Sequence, residues 1–106
     1  MIKFEDFQKI DLRVGEIIKV EEIENSEKLL KLIVDLGKEK KQIVAGIKKE
    51  YKKEELLGKK IVIVTNLKPK KLMGIESQGM LLAVDVEGKP VLIIPEKDVP
   101  SGSKVK

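Results

Sequence analysis

Cysteine, histidine and tryptophan are all missing from the 106 residues of the chain. Without cysteine there is no thiolate nucleophile and no disulfide. Without Cys and His there is no zinc site of the usual kind and no imidazole to serve as a general base. An enzyme would have to work with carboxylates or a lysine alone, and neither cofactor nor metal is expected. Aromatic side chains are nearly absent too, Phe4, Phe7 and Tyr51 being the whole set. Arginine occurs once, at Arg13, against 21 lysines. No apolar run approaches the roughly 18 residues that a membrane-crossing helix needs. Met1 leads into Phe4-Glu5-Asp6-Phe7 and not into a basic and then apolar leader. The expectation is a soluble, cytoplasmic protein with no membrane partner, folded as a single domain over residues 1–106.

What is present is a series of short β-branched runs separated by Gly, Pro, Asn and charged turns, the pattern of a small all-β barrel. Leu12 to Ile23 opens with Leu12 and Val14 alternating and slips register after Gly15, as a bulge in a long curved strand would. Leu30, Leu32, Val34 and Leu36 share one face, and Gly37-Lys38-Glu39-Lys40 turns the chain into a strand from Gln42 to Ile47. Lys53 to Leu57 reads as a turn of helix stopped by Gly58. Ile61-Val62-Ile63-Val64 is apolar on both faces and so belongs to a central strand. Met80 to Val86 and Val91 to Ile94 form a hairpin around Glu87-Gly88-Lys89-Pro90. Five or six strands, with a short helix before the fourth, is the element order of a five-stranded OB-fold barrel. Terminal extensions flank it, and Phe4 and Phe7 are expected on a helical turn that plugs one end.

Charge is unevenly placed. Residues 38 to 71 hold twelve lysines against four acids, a local balance of +8, so the remainder of the chain sums to −4. Such asymmetry suits a polyanion, because each lysine near a phosphate releases condensed counterion; a Lys-rich surface that only keeps the protein soluble is the plainer alternative. The densest chemistry lies in the fifteen-residue link Asn66 to Met80. A link of this length is usually a binding loop or a disordered one, and its content favours binding. Pro69 stiffens it, Gly74 and Gly79 permit positive φ, Lys68, Lys70 and Lys71 supply point charges, and Asn66, Ser77 and Gln78 can donate to phosphate or to a ribose hydroxyl. Lys49, Lys59 and Lys60 join these from the same basic stretch. Met73 reads as core, whereas Met80 suits core and contact equally.

The shortage of rings bears on the ligand. Single strands on an OB-fold are held by bases stacked on aromatic side chains, each worth about 1–3 kcal/mol, and Tyr51 is the one platform available outside the N-terminal turn. A surface of lysines with neither rings nor bidentate arginines is better matched to the backbone of a folded RNA than to base readout. Asp35, Glu76 and Asp85 are the carboxylates that an enzyme would use, and with no partner base they read as surface charges.

Asp11-Leu12-Arg13-Val14-Gly15-Glu16-Ile17, Lys28-Leu29 with Val34-Asp35-Leu36-Gly37, Ile43-Val44-Ala45-Gly46-Ile47, and Asn66-Leu67-Lys68-Pro69 through Leu72-Met73-Gly74-Ile75-Glu76-Ser77-Gln78-Gly79-Met80 together resemble the tRNA-binding domain family. That family includes the C-terminal domain of methionyl-tRNA synthetase, free-standing beta-subunit-like proteins and the CsaA chaperones. The resemblance runs from residue 4 to about 95. It implies an OB-fold that binds tRNA by shape without reading sequence, as a freestanding or appended module of methionyl-tRNA synthetase and often as a homodimer. By position, its RNA contacts fall on Asn66, Lys68, Lys70, Lys71, Ser77 and Met80. Glu24-Asn25-Ser26-Glu27 departs from the family pattern, so the resemblance carries no contact onto that loop. The chain's own start at Met1 reads as that of a freestanding protein. Phe4, Phe7 and Val91-Leu92-Ile93-Ile94 are expected at the dimer interface; as an exposed groove on an edge strand, Val91-Leu92-Ile93-Ile94 would instead suit a CsaA-like chaperone of unfolded peptides.

Overall fold

The longest strand, β1 (Leu12–Glu22), lies at the centre of the sheet and is paired along both edges. The computed structural model describes all residues from 1 to 106. On one side β1 runs antiparallel to β2 (Leu30–Asp35), which in turn pairs with β3 (Lys40–Ala45). On the other side it pairs with β4 (Lys60–Val64), and β4 pairs with the two-residue β7 (Met80–Leu81). The order β3-β2-β1-β4-β7 curls until its ends approach one another. The result is a nearly closed five-stranded barrel. Two hairpins project from it: β5 (Lys70–Leu72) with β6 (Ile75–Ser77), and β8 (Ala83–Val86) with β9 (Lys89–Leu92). The final strand, β10 (Lys104–Val105), pairs with the start of β1. There are two short helices, α1 (Phe4–Gln8) and α2 (Lys53–Leu56), and no helix is long and apolar enough to cross a membrane.

The period-2 pattern of β2 buries Leu30, Leu32 and Val34 in the barrel. β4 explains why a four-residue apolar run carries no alternation. Ile61 and Ile63 face the main core, while Val62 and Val64 join Leu12 and Val14 in a second cluster on the outer face, covered by Leu82, Val99 and Val105. Both faces of β4 are therefore dry. Burying each such side chain is worth about 1.5–3 kcal/mol, so the C-terminal extension is part of the folded unit.

Three local expectations change. The register shift in β1 lies between Ile17 and Lys19, after the position the sequence suggests. Gly15 serves close packing instead: a Cβ there would overlap Val34 Cγ1 and lie 2.9 Å from Leu36 Cδ2. The helix that fills the core is α2, through the fully buried Leu56. Phe4 and Phe7 plug nothing, because α1 buries none of its residues. Lastly, the Met80–Val86 strand divides at Leu82: β7 pairs with β4, whereas β8 leaves the barrel sheet to pair with β9.

Candidate nucleic-acid interface

Most of the link from Asn66 to Met80 is ordered structure. After Pro69 it forms the β5–β6 hairpin, with Lys70 opposite Ser77, Lys71 opposite Glu76 and Leu72 opposite Ile75. The turn is Met73-Gly74, with φ of 50° and 78°, the two left-handed residues that a tight hairpin requires. Met73 therefore stands exposed at the tip, outside the core. Gly79 does not use positive φ. It is needed because a Cβ would lie 2.6 Å from the Val64 carbonyl oxygen, where β7 begins to pair with β4.

Barrel closure decides what the polar residues of the link do. Ser77 is buried; its Oγ accepts from Val44 N–H at 3.0 Å and donates to the Gly79 carbonyl at 3.0 Å. Gln78 N–H donates to the Gln42 carbonyl at 2.7 Å, and Gln78 Oε1 accepts from Gln42 N–H at 2.8 Å. The Gln42 amide group in turn donates to the Glu76 carbonyl at 2.8 Å. Side chains thus complete the seam between β3 and β6–β7 where a ladder is missing. Asn66 is likewise engaged, accepting from Asp11 N–H at 2.9 Å and donating to the Lys9 carbonyl at 2.7 Å. Of the three polar residues expected to face RNA, Gln78 keeps both hydrogens of its side-chain amide without an internal partner and Asn66 keeps one, while the Ser77 hydroxyl is fully used.

The lysines sort by position. Lys40, Lys41 and Lys68 line an open groove of about 480 Å³ with one acid, Glu39, and with Thr65, Asn66, Pro69 and Gln78. Lys70 and Lys71 follow on β5, on opposite faces of the hairpin, and Met80 is exposed beside the seam. Lys40, Lys68, Lys70 and Lys71 make no ion pair, and Lys41 only a 3.6 Å approach to Glu39. Lys40 and Lys41 stand in the basic stretch of the sequence, but only the β3–β6 seam brings them to the link.

Lys49, Lys59 and Lys60 are not gathered there. Lys49 borders a separate concavity with Glu22, Glu24 and Glu27. Lys60 holds the C-terminal segment, donating to Asp98 at 2.7 Å and to the Val99 carbonyl. Lys59 sits over the Tyr51 ring, 5.6 Å from its centroid. Tyr51 itself packs on the core and its hydroxyl accepts from Leu92 N–H at 3.1 Å, so its ring is no open platform for a base.

Among the carboxylates, Asp35 and Asp85 cap turns by accepting from Gly37 and Gly88 N–H at 2.9 and 2.7 Å. Asp11 lies at the root of the link. The Thr65 hydroxyl, and then the Arg13 guanidinium at 3.1 Å, donate to its carboxylate and hold its pKa below the ordinary value. No three acidic residues converge as they would around a metal ion.

An apolar surface lies elsewhere. Val84, Val86 and Val91 share the outer face of the β8–β9 hairpin and are about half exposed, as are Ile93 and Ile94 beyond it. Phe4 and Phe7 are exposed on α1. Leu92, expected with them, points the other way into the main core.

Comparison with known proteins places these features in context. A family model described as a tRNA binding domain matches residues 12–104. The chain is 53% identical over 104 residues to a methionine–tRNA ligase of Archaeoglobus fulgidus and 58% identical over 105 residues to one of Methanococcus aeolicus. Those matches cover 98% and 99% of this chain, and the chain spans only 16% of the length of either relative. Among solved structures, a MetRS-related protein from Pyrococcus horikoshii superposes with a TM-score of 0.94 at 45% identity, covering 100% of this chain and 98% of that one. The chaperone CsaA from Bacillus anthracis superposes at 0.90 with 37% identity, covering 100% and 99%.

Proposed function

Because the chain belongs to the tRNA-binding domain family, we propose that it is a non-catalytic module that binds tRNA by its folded shape and backbone, without reading sequence. The observation that carries this reading is the gathering of Lys40, Lys41 and Lys68 around one groove that continues into the Lys70–Lys71 hairpin, none of the five tied down by a close ion pair. Five ammonium groups, with no aromatic ring lining the groove among them, supply phosphate contacts and little base discrimination. Met80, exposed beside the seam, adds an apolar contact to a sugar or base edge. Ser77 acts by closing the barrel beside the lysine-bearing segment, and Gln78 both closes the barrel and offers its free amide hydrogens.

Within the cytoplasm such a module raises the local concentration of tRNA at methionyl-tRNA synthetase, in trans or as an appended domain, since the similar ligases carry the matching sequence within a much longer chain. The uncovered valines of β8–β9, with Ile93, Ile94 and the two phenylalanines, fit a homodimer interface. Filter binding of a panel of tRNAs with unrelated anticodons tests the sequence independence. Affinities within a few-fold of each other are expected, and selection of one tRNA over the others overturns it.

A second reading is favoured by the superposition on CsaA chaperones. The same apolar surface would then hold unfolded peptide. Suppression of client aggregation by protein that binds no tRNA would establish that alternative.

A further inference from the structure

Residues Met1 to Ile10 are all exposed, so side-chain burial does not hold the N-terminal arm in place. Hydrogen bonds hold it. Apart from the local Asp11–Arg13 pair, every hydrogen bond from residues 1–11 to the rest of the chain ends on Thr65 or Asn66. The Asn66 amide is used at both ends, toward Asp11 N–H and the Lys9 carbonyl, at 2.9 and 2.7 Å. Thr65 N–H donates to the Asp11 carbonyl at 2.9 Å, and its hydroxyl donates to the Asp11 carboxylate.

The same two residues are the exit from β4 into Leu67-Lys68-Pro69, which forms one wall of the lysine groove. Pro69 has a fixed φ, and it restricts the backbone of Lys68 before it. Where Lys68 stands is thus set largely by where Asn66 is held. The Asn66 side chain itself carries no charge to offer a phosphate, and both its polar atoms face the arm.

We infer that Asn66 is a positioning residue for RNA binding: it latches the lysine-bearing wall of the groove to the N-terminal arm, so that arm and wall order together. This rests on the RNA-binding reading above. Coupling between two segments is reciprocal. Phosphate held at the wall stabilises the arm, and release of the arm loosens the wall.

Hydrogen exchange on the full chain, with and without folded tRNA, is the test. Without RNA, Asn66→Ala raises exchange at the Asp11 amide and across residues 67–72 together. With tRNA, the Asp11 amide of the wild type gains protection and that of the variant does not. The affinity of the variant for tRNA falls about fivefold or more, while the slope of log affinity against log salt is unchanged, because no charge is removed. Thr65→Val, which keeps Asn66 and removes only the hydroxyl bonds, produces the same joint loosening to a smaller extent and serves if Asn66→Ala folds poorly. Loosening of the arm alone overturns the inference, as does reduced affinity with unaltered exchange at Asp11, the mark of direct contact. Failure of the wild type to bind any tRNA overturns the RNA reading and the positioning role with it; the RNA-free exchange still decides whether the two segments are latched.

Discussion

Ser77 Oγ accepts the backbone N–H of Val44 at 3.0 Å, across the one seam where the barrel lacks a continuous ladder. A hydroxyl on the segment next to the lysine groove is thereby spent on closing the fold. Ser77→Ala strands the Val44 donor in a buried site, which costs about 1–3 kcal/mol. Chemical denaturation should show a loss of that size; a change within about 0.5 kcal/mol, the usual range for an exposed position, would mean that the bond contributes nothing.

The lysines separate into two groups by their partners. Changing Lys68, Lys70 or Lys71 to Ala is expected to lower the magnitude of the salt slope of tRNA binding by about one for each phosphate that is no longer neutralised. Lys60→Ala leaves that slope unchanged and instead loosens the C-terminal segment, whose Asp98 and Val99 it holds. Titrations at four or five salt concentrations read both effects. Equal slopes for all four variants would contradict the groove assignment.

Two residues at the β8–β9 end, Leu92 and Ile94, should behave differently. Leu92 is in the core and Leu92→Ala is expected to cost about 2–5 kcal/mol of stability. Ile94 is 53% exposed, so Ile94→Ser should leave the fold within about 0.5 kcal/mol of the wild type and shift a dimer toward monomer. Light scattering and thermal unfolding together distinguish the two. A wild type that is monomeric at all concentrations would defeat the interface.

Asp11 gives the protein an acid-sensitive joint. Its folded pKa is held below the ordinary value, first by the Thr65 hydroxyl and then by Arg13. The folded state therefore binds the proton less readily than the unfolded one. Its contribution is complete above the unfolded value of about 3.9 and is lost as pH falls through the depressed folded value. Asp11→Asn should unfold at lower denaturant near neutral pH and show a flatter loss of stability below about pH 4. Parallel pH profiles for the two proteins would contradict this.

Some of these features are legible in the sequence alone. Ile61 to Val64 announces a strand dry on both faces, because a continuous apolar run has no other stable place in a small barrel. Gly58, with φ of 83°, ends α2 as its type suggests. The lysine asymmetry points to the region that holds the groove. Ser77, Asn66 and Gln78 are different, because a hydroxyl or amide looks the same in sequence whether it faces a phosphate or a barrel seam. Lys40 and Lys41 lie far from the link in sequence and reach it only through the packing of β3 against β6. Leu92 shows the limit most simply: one step along a strand reverses its face.

Recognition of a folded RNA through its backbone by the lysine groove is tested most directly by comparing two RNAs of equal length, a folded tRNA and an unstructured strand, across a range of salt. Tighter binding of the folded tRNA is expected at every salt concentration, with both affinities falling as salt rises. Equal affinity for the two RNAs throughout the range would contradict it.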